Sequence, residues 1–171
     1  MRRSQRDTGE VRLCLNPLMA PTGSRLPIDI AALAAADHAE WLPLARAYRA
    51  FDGAALVDED CHLAWQRRYA GGATRGLGAR RDSRLVGFAH FVLRASTWGN
   101  AVCYRQDLYV DASTRGCGAA RALIGAVAAD ARASVAAKRY WTTKHDNDAA
   151  RRLFARLARH SGFVRYDYSI A

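Results

Sequence analysis

A chain of 171 residues with 50% hydrophobic side chains has the length and apolar content of one folded domain, which excludes intrinsic disorder. No apolar run is long enough to cross a bilayer, and the basic start (MRRSQRD) lacks the apolar core of a signal peptide, so a cytoplasmic protein is expected. The net charge of +10, carried by arginine with only Lys138 and Lys144 as lysines, favours polyanionic ligands: nucleotide phosphates, nucleic acid or anionic surfaces.

Residues 1–25 lack periodicity and carry Pro17, Pro21 and Gly23 among scattered charges. They read as a poorly ordered N-terminal segment, with the domain at 26–171. Leu26–Ile30 suits a short strand. Asp37 and Glu40 have capping-box spacing before a helix carrying Trp41, Leu44, Ala45, Tyr48 and Phe51. Pro43 inside that pattern implies a later start or a bend. A second helix opens at Asp58 and holds Leu63, Trp65 and Tyr69, and Gly71-Gly72 end it. Leu77–Arg81 and Leu85–Leu93 flank Asp82-Ser83 as a hairpin.

Val102–Val110 reads as a further strand, and Gly118 to about Ala137 as an alanine-rich helix. Tyr140–Thr143 is a short strand. Asp146 or Asn147 caps a helix to about Arg159, stopped by Gly162, and Phe163–Ile170 closes the chain as a strand. The strand–helix–strand run from 102 to 143 requires a right-handed crossover and a parallel pair. The expected class is α/β with a mixed, mostly antiparallel sheet and helices on both faces.

Four cysteines, Cys14, Cys61, Cys103 and Cys117, show no CxxC spacing, and the five histidines show no metal spacing, so no metal is expected. The stretch DASTRGCGAA at 111–120 stands between strand and helix. A helix start leaves backbone N–H groups unpaired, and glycines let an anion approach them. Arg115 adds a fixed charge, so this turn could hold a pyrophosphate or be an ordinary turn. It lacks GxxxxGK[ST], so it is not a P-loop.

Tyr104-Arg105-Gln106-Asp107-Leu108-Tyr109-Val110-Asp111 followed by Arg115-Gly116-Cys117-Gly118-Ala119-Ala120 resembles the acetyl-CoA-binding core of the GNAT superfamily of N-acetyltransferases. Arg115, Gly118 and Ala120 meet its Arg/Gln-x-x-Gly-x-Gly/Ala signature. Leu85–Ala89, Tyr140–Thr143, Asn147, Ala150, Leu153-Phe154 and Gly162-Phe163 resemble neighbouring motifs. Thr97-Trp98 and Cys103-Tyr104 look like the histone-and-polyamine branch.

The resemblance implies a GNAT-like fold in which the parallel pair splays apart and acetyl-CoA lies in the gap. It implies cofactor contacts from Leu108, Tyr109, Val110, Arg115, Gly116, Cys117, Gly118, Ala119, Ala120 and Asn147. The Leu108 N–H would polarise the thioester carbonyl. The amine acceptor (a small basic molecule, polyamine or protein lysine) must lose a proton before it attacks. Asp107 and Gln106 are the candidates on the central strand. Gln106 stands where polyamine-type relatives carry glutamate, and an amide cannot act as a base. Asp107 can equally be a structural carboxylate. Phe154 stands where many relatives carry an acidic tyrosine.

These departures keep open a non-catalytic acyl-CoA-binding or sensing domain as the alternative. A nucleic-acid module is disfavoured because no reading element is recognisable. The resemblance also implies a homodimer through sheet edges or C-terminal strands.

Overall fold

The computed structural model describes residues 27–51, 53, 58–67 and 74–170. Expectations for residues 1–26, Tyr69 and Gly71-Gly72 lie outside them. The elements run β1 (Asp29–Ala32), α1 (His38–Phe51), α2 (Asp58–Gln66), β2 (Thr74–Arg81), β3 (Arg84–Ser96), β4 (Gly99–Val110), α3 (Ala119–Ala133), β5 (Lys138–Tyr140) and α4 (Asp148–Ala155). One five-stranded sheet has the order β1-β2-β3-β4-β5. Three junctions are antiparallel and β4–β5 is parallel, as the crossover rule required.

The β2–β3 hairpin turns on Asp82 (φ 50°) and Ser83 (φ 65°). Two consecutive left-handed residues match the right-handed twist of the flanking strands. Gly87 faces β4 closely: a Cβ there would lie 2.6 Å from the Tyr109 carbonyl oxygen. Any larger residue would push the two central strands apart.

Each face of the sheet buries its own cluster. Trp41, Leu44 and Ala45 of α1 and Cys61 and Trp65 of α2 pack with Leu33, Leu85 and Phe88. On the other face Ala119, Leu123, Val127 and Ala131 of α3 cover Leu77, Ala79, Ala89, Phe91 and Cys103. Leu123 and Val127 are fully buried, which stabilises the fold by about 2 kcal/mol each.

Several boundaries differ from the sequence reading. α1 starts at His38 and runs through Pro43. Asp37 does not cap it: its carboxylate accepts from the Ala34 N–H ahead of a 3-10 turn. Glu40 reaches across to β3 instead, accepting from the Leu85 N–H at 2.7 Å and from Arg80 at 3.0 Å. Arg80 also binds Asp37, so the hairpin is clamped to the start of α1.

β5 is confined to Lys138–Tyr140, because Trp141–Thr143 leave the sheet. α4 ends at Ala155, one turn short. The C-terminal strand does not form. Residues 159–170 pair with no described strand, and Phe163, Val164, Tyr166, Tyr168 and Ile170 are exposed. A strand needs a neighbour to satisfy its main chain, and alternation alone does not supply one.

Candidate functional site

The pairing of β4 with β5 covers only Val102–Tyr104 against Lys138–Tyr140. Beyond Tyr104 and Tyr140 the two strands part, and a gap opens beside residues 105–110. Tyr109 turns its carbonyl to Gly87, and the Asp111 N–H donates to the Val86 carbonyl at 2.9 Å. Main-chain groups alternate sides along a strand. The N–H groups of Leu108 and Val110 therefore face the gap.

At the end of the gap the chain turns into α3. Asp111 braces the turn by accepting from the Ser113 N–H and hydroxyl, both at 2.9 Å. These bonds hold the Asp111 carboxyl below its ordinary value, with Arg84 and Arg115 adding attraction. Gly116 (φ 79°) and Gly118 (φ 98°) take left-handed backbone that other residues resist. A Cβ built on either meets no atom within 4 Å, so the loop is open.

The first intrahelical bond of α3 runs from the Ala122 N–H to the Gly118 carbonyl. The N–H groups of Ala119, Ala120 and Arg121 thus lack helical acceptors. Arg115 lies across the turn, its Nε 3.4 Å from the Val110 carbonyl oxygen. Cys117 is half-buried and packs against the α3 cluster, as a small apolar residue would. Asn147 caps α4, its Oδ1 accepting from the Ala150 N–H at 3.2 Å.

A β-bulge interrupts β4. His90 pairs with Asp107 and Phe91 with Arg105, leaving Gln106 extra, with its side chain exposed. Asp107 consequently faces α1. Its Oδ1 accepts from the Tyr48 hydroxyl at 3.0 Å, and its Oδ2 meets His90 Nδ1 at 2.9 Å. The Trp41 indole N–H, a donor only, points at His90 Nε2 at 3.2 Å. This assigns Nε2 as acceptor and Nδ1 as the proton carrier, donating to Asp107. The carboxylate is partly exposed. The sequence reading gave the five histidines no metal spacing and did not link His90 to Asp107. The signal for that link, aromatic residues on α1 matched to a strand histidine, is visible only once the register is known.

Arg105 faces the other side. Its guanidinium lies against the rings of Trp141 and Phe154, 4.6 and 4.7 Å from their centroids, and the two rings pack edge to face on each other at 5.2 Å. Arg105 is 4% exposed, and its Nε and Nη1 have no hydrogen-bond partner among the described residues. Burial pushes the guanidinium down to about 10, and the neighbouring Arg139 cation adds to the effect. Phe154 packs against this guanidinium and, lacking a hydroxyl, is not a proton donor. Among the described residues no group of three or more His, Cys, Asp or Glu side chains could hold a metal.

The acetyltransferase (GNAT) family pattern matches residues 39–158. Among solved structures, a ribosomal-protein-alanine N-acetyltransferase from Brucella melitensis is 28% identical and superposes with a TM-score of 0.72. The match covers 85% of this chain and 100% of that one. An aminoglycoside N-acetyltransferase in complex with CoA is 17% identical, with a TM-score of 0.76 over 90% of this chain and 100% of its own. A probable acetyltransferase is 22% identical, with a TM-score of 0.75 over 84% and 98% of the two chains. No curated protein matches.

Proposed function

The chain belongs to the acetyltransferase (GNAT) family, and on that premise we propose that it transfers an acyl group directly from a coenzyme A thioester, acetyl-CoA in the first instance, to an amine. The observation that carries this reading is the parted β4–β5 pair leading to an open, doubly left-handed glycine turn. The free N–H groups of Ala119 and Ala120, with Arg115, suit a diphosphate, because a helix start and a guanidinium both favour anions. Leu108, Tyr109 and Val110 flank the pantetheine path, with Gly116 and Cys117 in the turn and Asn147 opposite. The Leu108 N–H would stabilise the oxyanion that develops as nitrogen attacks the carbonyl carbon.

The acceptor approaches from the α1 side, where Asp107 is held. An ammonium must give up its proton before attack, and Asp107 takes it directly or through one water. Tyr48, His90 and Trp41 are positioning residues: they orient the carboxylate and leave it ionised with acceptor capacity. Gln106, neutral and turned outward at the bulge, holds no proton-accepting role. As the C–S bond breaks, the thiolate is protonated by water, since Phe154 carries no hydroxyl. Asp58, Glu59 and Asp60 open α2 on the same side of the sheet, which suits a cationic acceptor such as a polyamine, an aminoglycoside-like amine or a protein amine.

The experiment is release of CoA thiol from acetyl-CoA against a panel of such amines, with product mass identifying the acetylated amine. Release with none of them, while acetyl-CoA binds, would favour a sensing domain. We also propose a homodimer in which 163–170 of each copy lies along the β5 edge of the other. Its support is five exposed apolar side chains beside a three-residue edge strand. Sedimentation of the full chain should give a dimer that the pair Tyr166→Ser and Ile170→Ser weakens.

A further inference from the structure

The parting of the strands places one residue at the apex of the gap. Tyr104 and Tyr140 form the last paired rung, so Arg105 and Trp141 are the first residues past it. A thioester whose diphosphate sits at 115–120 runs back along β4 towards this apex, acyl end foremost. There it meets a guanidinium that is buried, packed beside the edge-to-face pair of Trp141 and Phe154, and without a partner at Nε and Nη1 among the described residues. Arg139, whose Nη1 donates to the Ile124 carbonyl at 3.0 Å, adds a second positive charge on the same side.

A buried cation with unmet N–H groups is unfavourable unless an anion arrives to accept from them. The two rings lend cation–π attraction, but they accept no in-plane hydrogen bond. An acetyl group ends in a methyl and offers nothing to these donors. A carboxylate matches the planar fork.

Resting on the acyl-transfer reading above, we infer that Arg105 is a donor-selecting residue and that the site accepts carboxyacyl-CoA thioesters, of the succinyl or malonyl kind, and holds them more tightly than acetyl-CoA. The transfer is balanced as for acetyl: the amine nitrogen forms the amide C–N bond, the C–S bond breaks, and CoA departs as thiol with the ammonium having released its protons to solvent and sulfur. The carboxylate at the far end of the acyl chain is unchanged and pairs with Arg105. Asp107 lies on the opposite face of β4, bonded to Tyr48 and His90.

The test is calorimetry on the full chain with CoA, acetyl-CoA and succinyl-CoA, followed by thiol release with an acceptor that itself lacks a carboxylate. Succinyl-CoA is expected to bind roughly ten-fold or more tighter than acetyl-CoA, the worth of one charge-assisted pair. Arg105→Leu should bring the two donors to within about two-fold of each other, with CoA affinity retained. Arg105→Lys, which keeps the charge but not the fork, should fall between. Equal affinities in the unaltered chain, or a preference that survives Arg105→Leu, would overturn the inference while leaving acyl transfer standing. Failure of CoA and both thioesters to bind would overturn the site itself.

Discussion

Arg105 and Asp107 stand two positions apart on β4 and face opposite sides of the sheet. An unbroken strand would put them on the same side. The extra residue at Gln106 shifts the phase, so Phe91 opposes Arg105 and His90 opposes Asp107. One side then holds an ionised carboxylate aimed at the α1 layer, and the other a buried cation beneath α4. On the proposed reading, donor and acceptor chemistry are separated by the thickness of one strand.

That separation makes Asp107 testable apart from cofactor binding. Asp107→Asn should lower kcat by about a hundred-fold or more, the usual worth of a positioned base, with acetyl-CoA affinity within about two-fold. His90→Gln and Tyr48→Phe should lower kcat less and shift its pH profile, because they reorient the carboxylate without replacing it. Steady-state kinetics across pH, paired with calorimetry, checks this. Unchanged kcat in Asp107→Asn would move the base elsewhere.

The glycine turn predicts the reverse split. Arg115→Glu should weaken acetyl-CoA binding by about ten-fold or more, since a diphosphate contact becomes a repulsion. Gly118→Val should do the same and also cost about 1–2 kcal/mol of stability, because a β-branched residue resists a φ of 98°. Calorimetry and thermal melts on the two variants separate lost charge from lost backbone.

Arg105 should be a burden on the ligand-free fold. Its donors go unmet and its charge is desolvated, with the two rings offsetting part of the cost. Arg105→Leu should therefore raise stability by about 1–3 kcal/mol in urea unfolding. A loss of stability would mean that the ring contacts outweigh the desolvation.

Acid sensitivity follows from two carboxyls. The Leu85 N–H and Arg80 hold Glu40 below its ordinary value of 4.5, and the bonds from Ser113 hold Asp111 below its ordinary 3.8. A group depressed in this way stabilises the fold above its ordinary value and ceases to as acid protonates the folded form. Stability should be flat near pH 6 and fall below about pH 4. Glu40→Gln should flatten that fall by a few tenths of a kcal/mol, a small effect because Glu40 is partly exposed. Unfolding midpoints from pH 6 to pH 3 measure it.

Much of the framework is local and could be read from residue order. The Asp82-Ser83 turn, the glycines before α3, the Asn147 cap and the periodicity of α1 and α3 depend on neighbours within a few positions. The crossover from β4 to β5 follows from chirality alone. Glu40 shows where local reading fails: its spacing suggested a cap, but a better partner lay across the fold at Leu85. The C-terminal stretch shows the same for strands. Its alternation was legible, yet pairing requires a neighbour that the described residues do not provide.

What the sequence by itself determined is therefore the order of elements as far as α4, the glycine turn before α3 and the family pattern, because each is written in short-range spacing. The tertiary structure alone decided which face each side chain of β4 meets and where β4 and β5 come apart. A one-residue bulge reverses every later side chain, and nothing in the local sequence marks it. The Trp41–His90–Asp107–Tyr48 chain and the stranded Arg105 exist only because distant segments meet in that register.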